Sequence, residues 1–202
     1  MALDTPTLRH GLALIAAKME ASADELNTVD GALGDGDLGV TMTRGMREIM
    51  KVADDLPDDV GMALFGCAQA FTRISGSSFG TLLATGLMSA AKACRGRTEV
   101  PWSEMSGLLA GAVQAMSARG KAELGQKTVL DPLDAAAKAA ADRLDGPAVL
   151  AAIDRAVYET MDMFRDRQAQ VGRARIFGEK SVGLDDPGMV ALRRMVDALK
   201  AP

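Results

Sequence analysis

Along nearly the whole chain, apolar residues return every three or four positions, the spacing that lines one face of an α-helix. Leu8, Leu12, Ile15 and Met19 set the pattern; Met42, Met46, Ile49 and Met50 repeat it, as do Leu64, Cys67, Ala68 and Phe71. No stretch alternates convincingly between apolar and polar residues as a half-buried strand would. Caps followed by proline, at Asp4 to Pro6, Asp131-Pro132, Gly146-Pro147 and Asp186-Pro187, mark helix starts. The fold class is therefore all-α.

These marks predict a long first helix ending near residues 27 to 31, a second stopped at the turn from Asp54 to Pro57, and a third around Leu64 to Phe71. The run from Leu82 to Ala93 reads as a nearly all-round apolar helix and hence a buried one. A fifth helix starts near Trp102 and stops at Gly120, two more cover about residues 132 to 143 and 147 to 171, and Asp186 opens the last. About eight helices, each with a stripe to bury, make one domain over residues 1–202, an antiparallel barrel or bundle. Alternate loops of such an arrangement lie at one end, so residues 30–39, 75–80, 120–131 and 172–188 are placed to converge there.

A formal net charge of −4 and 3% aromatic residues argue against a nucleic-acid partner, since the field repels a phosphate backbone and stacking platforms are scarce. An acidic chain can still hold a nucleotide where metal cations stand between the negative groups. Cys67 and Cys94 lack the spacing of a zinc site or a disulfide framework and read as buried thiols. No apolar run approaches the roughly 20 residues that span a bilayer, and no signal core follows the N-terminus, which gives the expectation of a cytoplasmic protein.

The chemistry concentrates in Asn27-Thr-Val-Asp30-Gly-Ala-Leu-Gly34-Asp35-Gly36-Asp37-Leu-Gly39. Three carboxylates this close repel one another unless a cation intervenes, and the glycines allow all three to face one point. Oxygen donors of this kind suit magnesium or calcium. A solvated Asp-Gly turn is the other reading, though one capping aspartate would serve it. The GxGxxG match is accidental because no strand precedes it. A P-loop would need lysine where Val40 stands, and a calcium EF-hand starting at Asp35 would need ligands where Gly39 and Met46 stand.

Gly76-Ser77-Ser78-Phe79-Gly80 matches the GxSxG nucleophile elbow, but no strand precedes it and the only histidine, His10, lies far upstream. Small residues opening a helix can instead present amides to a phosphate; a plain helix cap is the equal alternative. In the two later loops, Lys127, Arg173 or Arg175 could neutralise phosphate. Singly, each loop reads as an ordinary surface connection.

Taken in order, these segments resemble the L subunit of dihydroxyacetone kinase and the equivalent C-terminal domain of single-chain dihydroxyacetone kinases. The carriers are the NxxDxxxGDGDxG loop at Asn27 to Gly39, G-x-S at Gly76 to Ser78, G-x-K-T-x-L-D at Gly125 to Asp131, and G-R-A followed by D-P-G from Gly172 to Gly188. The resemblance implies an eight-helix barrel holding ADP or ATP with two magnesium ions on Asp30, Asp35 and Asp37. It implies nucleotide contacts at Leu38, Gly39, Val40, Thr41, Ser77, Ser78, Gly120, Val129, Arg173, Asp186, Pro187 and Gly188. Lys127 and Thr128 are placed in the same set.

A separate K-type subunit would hold the keto sugar and receive the γ-phosphoryl group. A phosphohistidine protein of the phosphotransferase system would rephosphorylate bound ADP, or ATP would be consumed directly. A homodimer is also compatible with the resemblance, as is a regulatory role for an ADP-loaded chain. The chain departs from the family at Leu38, usually histidine, at Gln126, usually aspartate, and at Ser75 and Phe79, where glycines are common. Those departures leave a related sugar such as erythrulose open as the acceptor.

Overall fold

The computed structural model describes residues 2–73 and 77–200, and among them nine α-helices carry the architecture. They are α1 (Thr5–Ala21), α2 (Ala23–Leu33), α3 (Leu38–Val52), α4 (Val60–Thr72), α5 (Ser78–Cys94), α6 (Met105–Gly120), α7 (Leu130–Ala139), α8 (Gly146–Arg165) and α9 (Pro187–Leu199). From α3 to α9 each helix packs against the next, while α1 packs against both α3 and α9 and so closes the ring. The result is an all-α barrel of eight staves, with α2 continuing from α1.

The long first helix is real but bent. At Ser22 the backbone leaves helical geometry for φ −104° and ψ 6°, yet Ser22 N still donates to Lys18 O and Leu26 N to Ser22 O, each at 2.9 Å. The second half runs on to Leu33, past the expected stop. The proline signatures hold at α1 and α9, where Asp4 and Asp186 accept from Thr7 N and Met189 N; at α8 the proline marks the start, but the cap is Asp145, accepting from Ala148 N, and the expected Gly146 is already helical. The expected spans of 132–143 and 147–171 shorten to α7 and α8. Asp131 does not cap α7, because its carboxylate turns back to the preceding loop, and the carbonyls ending α8 are taken by partners outside the helix.

The expectation of a buried helix from Leu82 to Ala93 is corrected to a partly buried one. In α5 the buried positions are Gly80, Ala84, Gly86, Ala91 and Cys94, while Met88 is exposed. A stave has an outer face, and small residues here let α4 and α6 approach closely enough to leave the leucines only partly covered. Two three-residue strands, β1 (Ala2–Asp4) and β2 (Glu99–Pro101), pair antiparallel with Leu3 opposite Val100. Neither is long enough to show an alternating pattern.

The main core is formed by Met19, Leu26, Met42, Ile49, Phe71, Val157 and Met189, all at most 2% exposed. Cys67 and Cys94 are buried free thiols, as expected, and burial pushes the Cys67 thiol up to about 11. No helix among the described residues is long and apolar enough to cross a membrane.

Candidate active site

Asn27 and Asp30, three residues apart, stand on one face of α2 and aim at the start of α3. Asn27 Oδ1 accepts from Gly39 N at 2.8 Å and Val40 N at 3.3 Å, supplying from a neighbouring helix the cap that Asp37 does not. Asp30 Oδ2 accepts from Asp37 N at 2.9 Å and Leu38 N at 3.3 Å. Two glycines permit this closeness. A Cβ on Gly39 would lie 2.1 Å from Ala23 O, and one on Gly34 would lie 2.6 Å from Asp30 Oδ1.

The loop between α2 and α3 is thereby folded onto itself, and Asp30, Asp35 and Asp37 each offer an oxygen within 4.8 Å of the others. Asp30 is half-buried, while Asp35 and Asp37 are exposed. Asp35 pairs with the Arg173 guanidinium. One cation among three carboxylates leaves net negative charge, and an all-oxygen donor set of this kind fits a hard divalent ion.

The other three loops converge on the same place. Ser77 caps α5 by accepting from Gly80 N at 3.4 Å, and Ser78 opens the helix. Gly76 and Ser75 of that motif lie outside the described residues. Gly120 ends α6, as expected, with Lys121 in the left-handed conformation after it. Asp131, 6% exposed, accepts from Gly125 N at 2.5 Å and Thr128 N at 2.8 Å and so shapes the loop before α7. Burial raises its carboxyl above the ordinary range.

At the start of α9, Asp186 accepts from Met189 N at 2.9 Å. The residue keeps part of its surface, yet its carboxyl is enclosed, and desolvation pushes it up to about 6. Phe79 touches the same helix start, 2.9 Å from where a Cβ on Gly188 would be.

These segments enclose a cavity of about 850 Å³. Of the anticipated residues, the three aspartates, Leu38, Val40, Thr41, Ser77, Ser78, Gly120, Thr128, Val129, Arg173, Asp186, Pro187 and Gly188 line it. Three do not. Gly39 is taken up by the contact of α3 with α2, Arg175 is exposed outside the lining, and Lys127 is buried behind the wall at 1% exposure, its ammonium donating to three carbonyls.

Arg44 and Arg119 line the cavity without having been anticipated. Arg44 follows Thr41 by three residues and so shares its helix face, a signal that was present in the spacing; Arg119 merely precedes Gly120, which carries none. His10 is exposed on α1 and takes no part in the cavity, leaving Ser78 without a base there.

Comparison with known proteins gives a consistent answer. Residues 32–201 match the DAK2 domain family. The chain is 31% identical to the ADP-binding subunit DhaL of PEP-dependent dihydroxyacetone kinase 2 from Listeria innocua, over 93% of this chain and 90% of that protein. It is 27% identical to the corresponding DhaL of Escherichia coli, over 88% and 87%. It is also 31% identical to the L-erythrulose 1-kinase of Mycolicibacterium smegmatis, covering 95% of this chain but 35% of that enzyme. In three dimensions it resembles the dihydroxyacetone kinase from C. freundii solved with AMP-PNP and Mg2+. That likeness has a TM-score of 0.75 at 23% identity and covers 98% of this chain and 34% of the solved one, so it speaks to the fold.

Proposed function

The chain belongs to the DAK2 domain family, and we propose on that ground that it is the nucleotide-binding subunit of a dihydroxyacetone kinase-like phosphotransferase, acting in the cytoplasm. It holds ADP or ATP with two magnesium ions and passes a phosphoryl group to a short keto sugar bound by a K-type partner. The observation that carries the reading is the convergence of the three aspartates, the start of α5 and the loops before α7 and α9 on one cavity. The ADP-binding subunit name of two relatives supports the choice of ligand.

Asp30, Asp35 and Asp37 would hold the magnesium, which when bound neutralises phosphate charge and orients the nucleotide. The start of α5 lies at the cavity wall, where a helix N-terminus favours anions, whereas the first-turn amides of α3 are already taken by Asp30 and Asn27. Arg173, Arg44 and Arg119 add positive charge at its wall. The apolar members, Leu38, Val40, Leu82, Met116 and Val129, offer a surface for the base. No protein nucleophile is required, since phosphoryl transfer needs positioning and charge stabilisation. The acceptor hydroxyl belongs to the partner's sugar, which is why the chain alone phosphorylates nothing. The donor to bound ADP is a phosphohistidine protein of the phosphotransferase system, or ATP is consumed outright.

A second reading, an ADP-loaded regulatory module, is favoured by one observation: an apolar, 4% exposed Leu38 stands on the cavity wall. Turnover on reconstitution with the sugar-binding partner would remove it as the sole role.

The test is calorimetric titration of nucleotide-stripped protein with ADP, with and without magnesium, in the wild type and Asp35→Asn. Binding is expected to require magnesium and to weaken at least about a hundredfold in the variant, the roughly 3 kcal/mol lost with a hydrogen-bonded charge. A folded wild type that binds neither ADP nor ATP overturns the reading.

A further inference from the structure

Lys127, read from the sequence as a residue that could neutralise phosphate, is not part of the cavity lining. Its ammonium donates to Arg165 O at 2.9 Å, Arg167 O at 2.8 Å and Ser181 O at 2.8 Å. Three donors meet three acceptors, so a group that is expensive to bury is fully satisfied. Burial still pulls the ammonium below its ordinary range. The backbone at Lys127 is left-handed, φ 62°, a conformation that strains any residue with a side chain by about 1 kcal/mol or more. A glycine would relieve that strain, so the side chain is what this position retains.

All three acceptors come from one stretch. Arg165 O also receives Gly183 N at 2.9 Å, so the two ends of residues 165–183 meet at Lys127. Within the stretch, Ala169 N donates to Ser181 Oγ, which donates to Gly178 O, and Gln170 N donates to Gln126 O beside Lys127. The loop so closed carries Val171 to Ala174 into the cavity wall and sets Arg173 against Asp35. Directly after Lys127, Thr128 and Val129 form the neighbouring wall.

We propose that Lys127 is a positioning residue of the nucleotide site, a buried joint that ties the loop of residues 165–183 to the loop before α7 and holds Arg173 over the acidic cluster. The proposal rests on the cavity being a nucleotide site. Without the joint the loop is free to move, Arg173 is no longer held in place, and its contribution to phosphate binding is lost even though the guanidinium is still present.

Two measurements on Lys127→Met test it. In nucleotide-free protein, hydrogen exchange of amides in residues 168–182 is expected to quicken at least about tenfold while α1 and α4 stay as protected as in the wild type. In titrations with ADP and magnesium, affinity is expected to fall about tenfold. Arg173→Gln is expected to weaken binding in the wild type and to add nothing further in the Lys127→Met background, whereas the Asp35→Asn penalty persists there. Lys127→Gln, whose amide retains two donors, serves in the same measurements if Lys127→Met does not fold.

A role in stability alone would lower the melting temperature and leave the Arg173→Gln penalty intact. That result, or unchanged exchange in residues 168–182 of a folded variant, overturns the assignment. A wild type that binds no nucleotide overturns the nucleotide reading, and with it the role given to Lys127; binding by the wild type with an undiminished Arg173→Gln penalty overturns the role of Lys127 alone.

Discussion

Asp186 shows how one residue is turned by its surroundings. As the cap of α9 it accepts from Met189 N, and as a member of the cavity wall its carboxyl is enclosed enough to titrate near 6 instead of the ordinary 3.8. The Lys127 ammonium lowers this value and Asp131 raises it, but desolvation dominates. The folded chain keeps this proton up to about pH 6 while the unfolded chain releases it near 3.8. Protonation therefore favours the fold below about pH 4, and the contribution is lost as pH rises through about 6. Asp186→Asn keeps an acceptor for Met189 N and carries no charge to desolvate. Its stability relative to the wild type should rise between pH 4 and pH 7.5, by about 1 to 2 kcal/mol once solvent at the cavity mouth is allowed for. Urea unfolding of both proteins at the two pH values measures this, and a difference that does not change with pH would refute it.

At the level of elements, the fold places helix starts where charge must be met. The first turn of α3 is capped not by its own N-cap residue but by Asn27 on α2, so the geometry of the acidic loop depends on how two helices pack. Asn27→Ala should lower stability by about 1 to 2 kcal/mol, as loss of a helix cap does, and should also weaken magnesium-dependent ADP binding. Asp145→Ala removes an ordinary cap from α8, where Asp145 accepts from Ala148 N at 2.8 Å. It should lower stability by about 1 kcal/mol and leave ADP affinity unchanged. Denaturant midpoints and calorimetry on the two variants separate the effects; equal loss of affinity in both would mean that α3's cap has no special bearing on the site.

For the whole molecule, closure of the ring gathers four loops from distant parts of the chain around one cavity, so ligand binding should stabilise the entire barrel. At a hundred times its dissociation constant, ADP with magnesium should add about 2.7 kcal/mol and raise the melting temperature by about 5 to 10 °C. A chelator should abolish the rise, which a thermal-shift series with EDTA reads directly; a rise that survives EDTA would mean that the aspartates do not act through a metal. The amino-acid sequence determined the all-α class, the starts of α1, α8 and α9 and the acidic loop, because helical periodicity, cap-then-proline pairs and Asp-Gly clusters are local properties that neighbouring residues impose on one another. The bend at Ser22 and the reach of α2 to Leu33 depend on packing across the ring and left no mark in the spacing. So did the half-exposed face of α5, whose apolar composition cannot say which side meets a neighbour. The sharpest case is Lys127: its sequence neighbours suggest a phosphate ligand, while the three carbonyls that hold it lie 38 to 54 residues away. Only the tertiary structure could bring them to the ammonium, because satisfying a buried charge is a property of the assembled fold rather than of any segment.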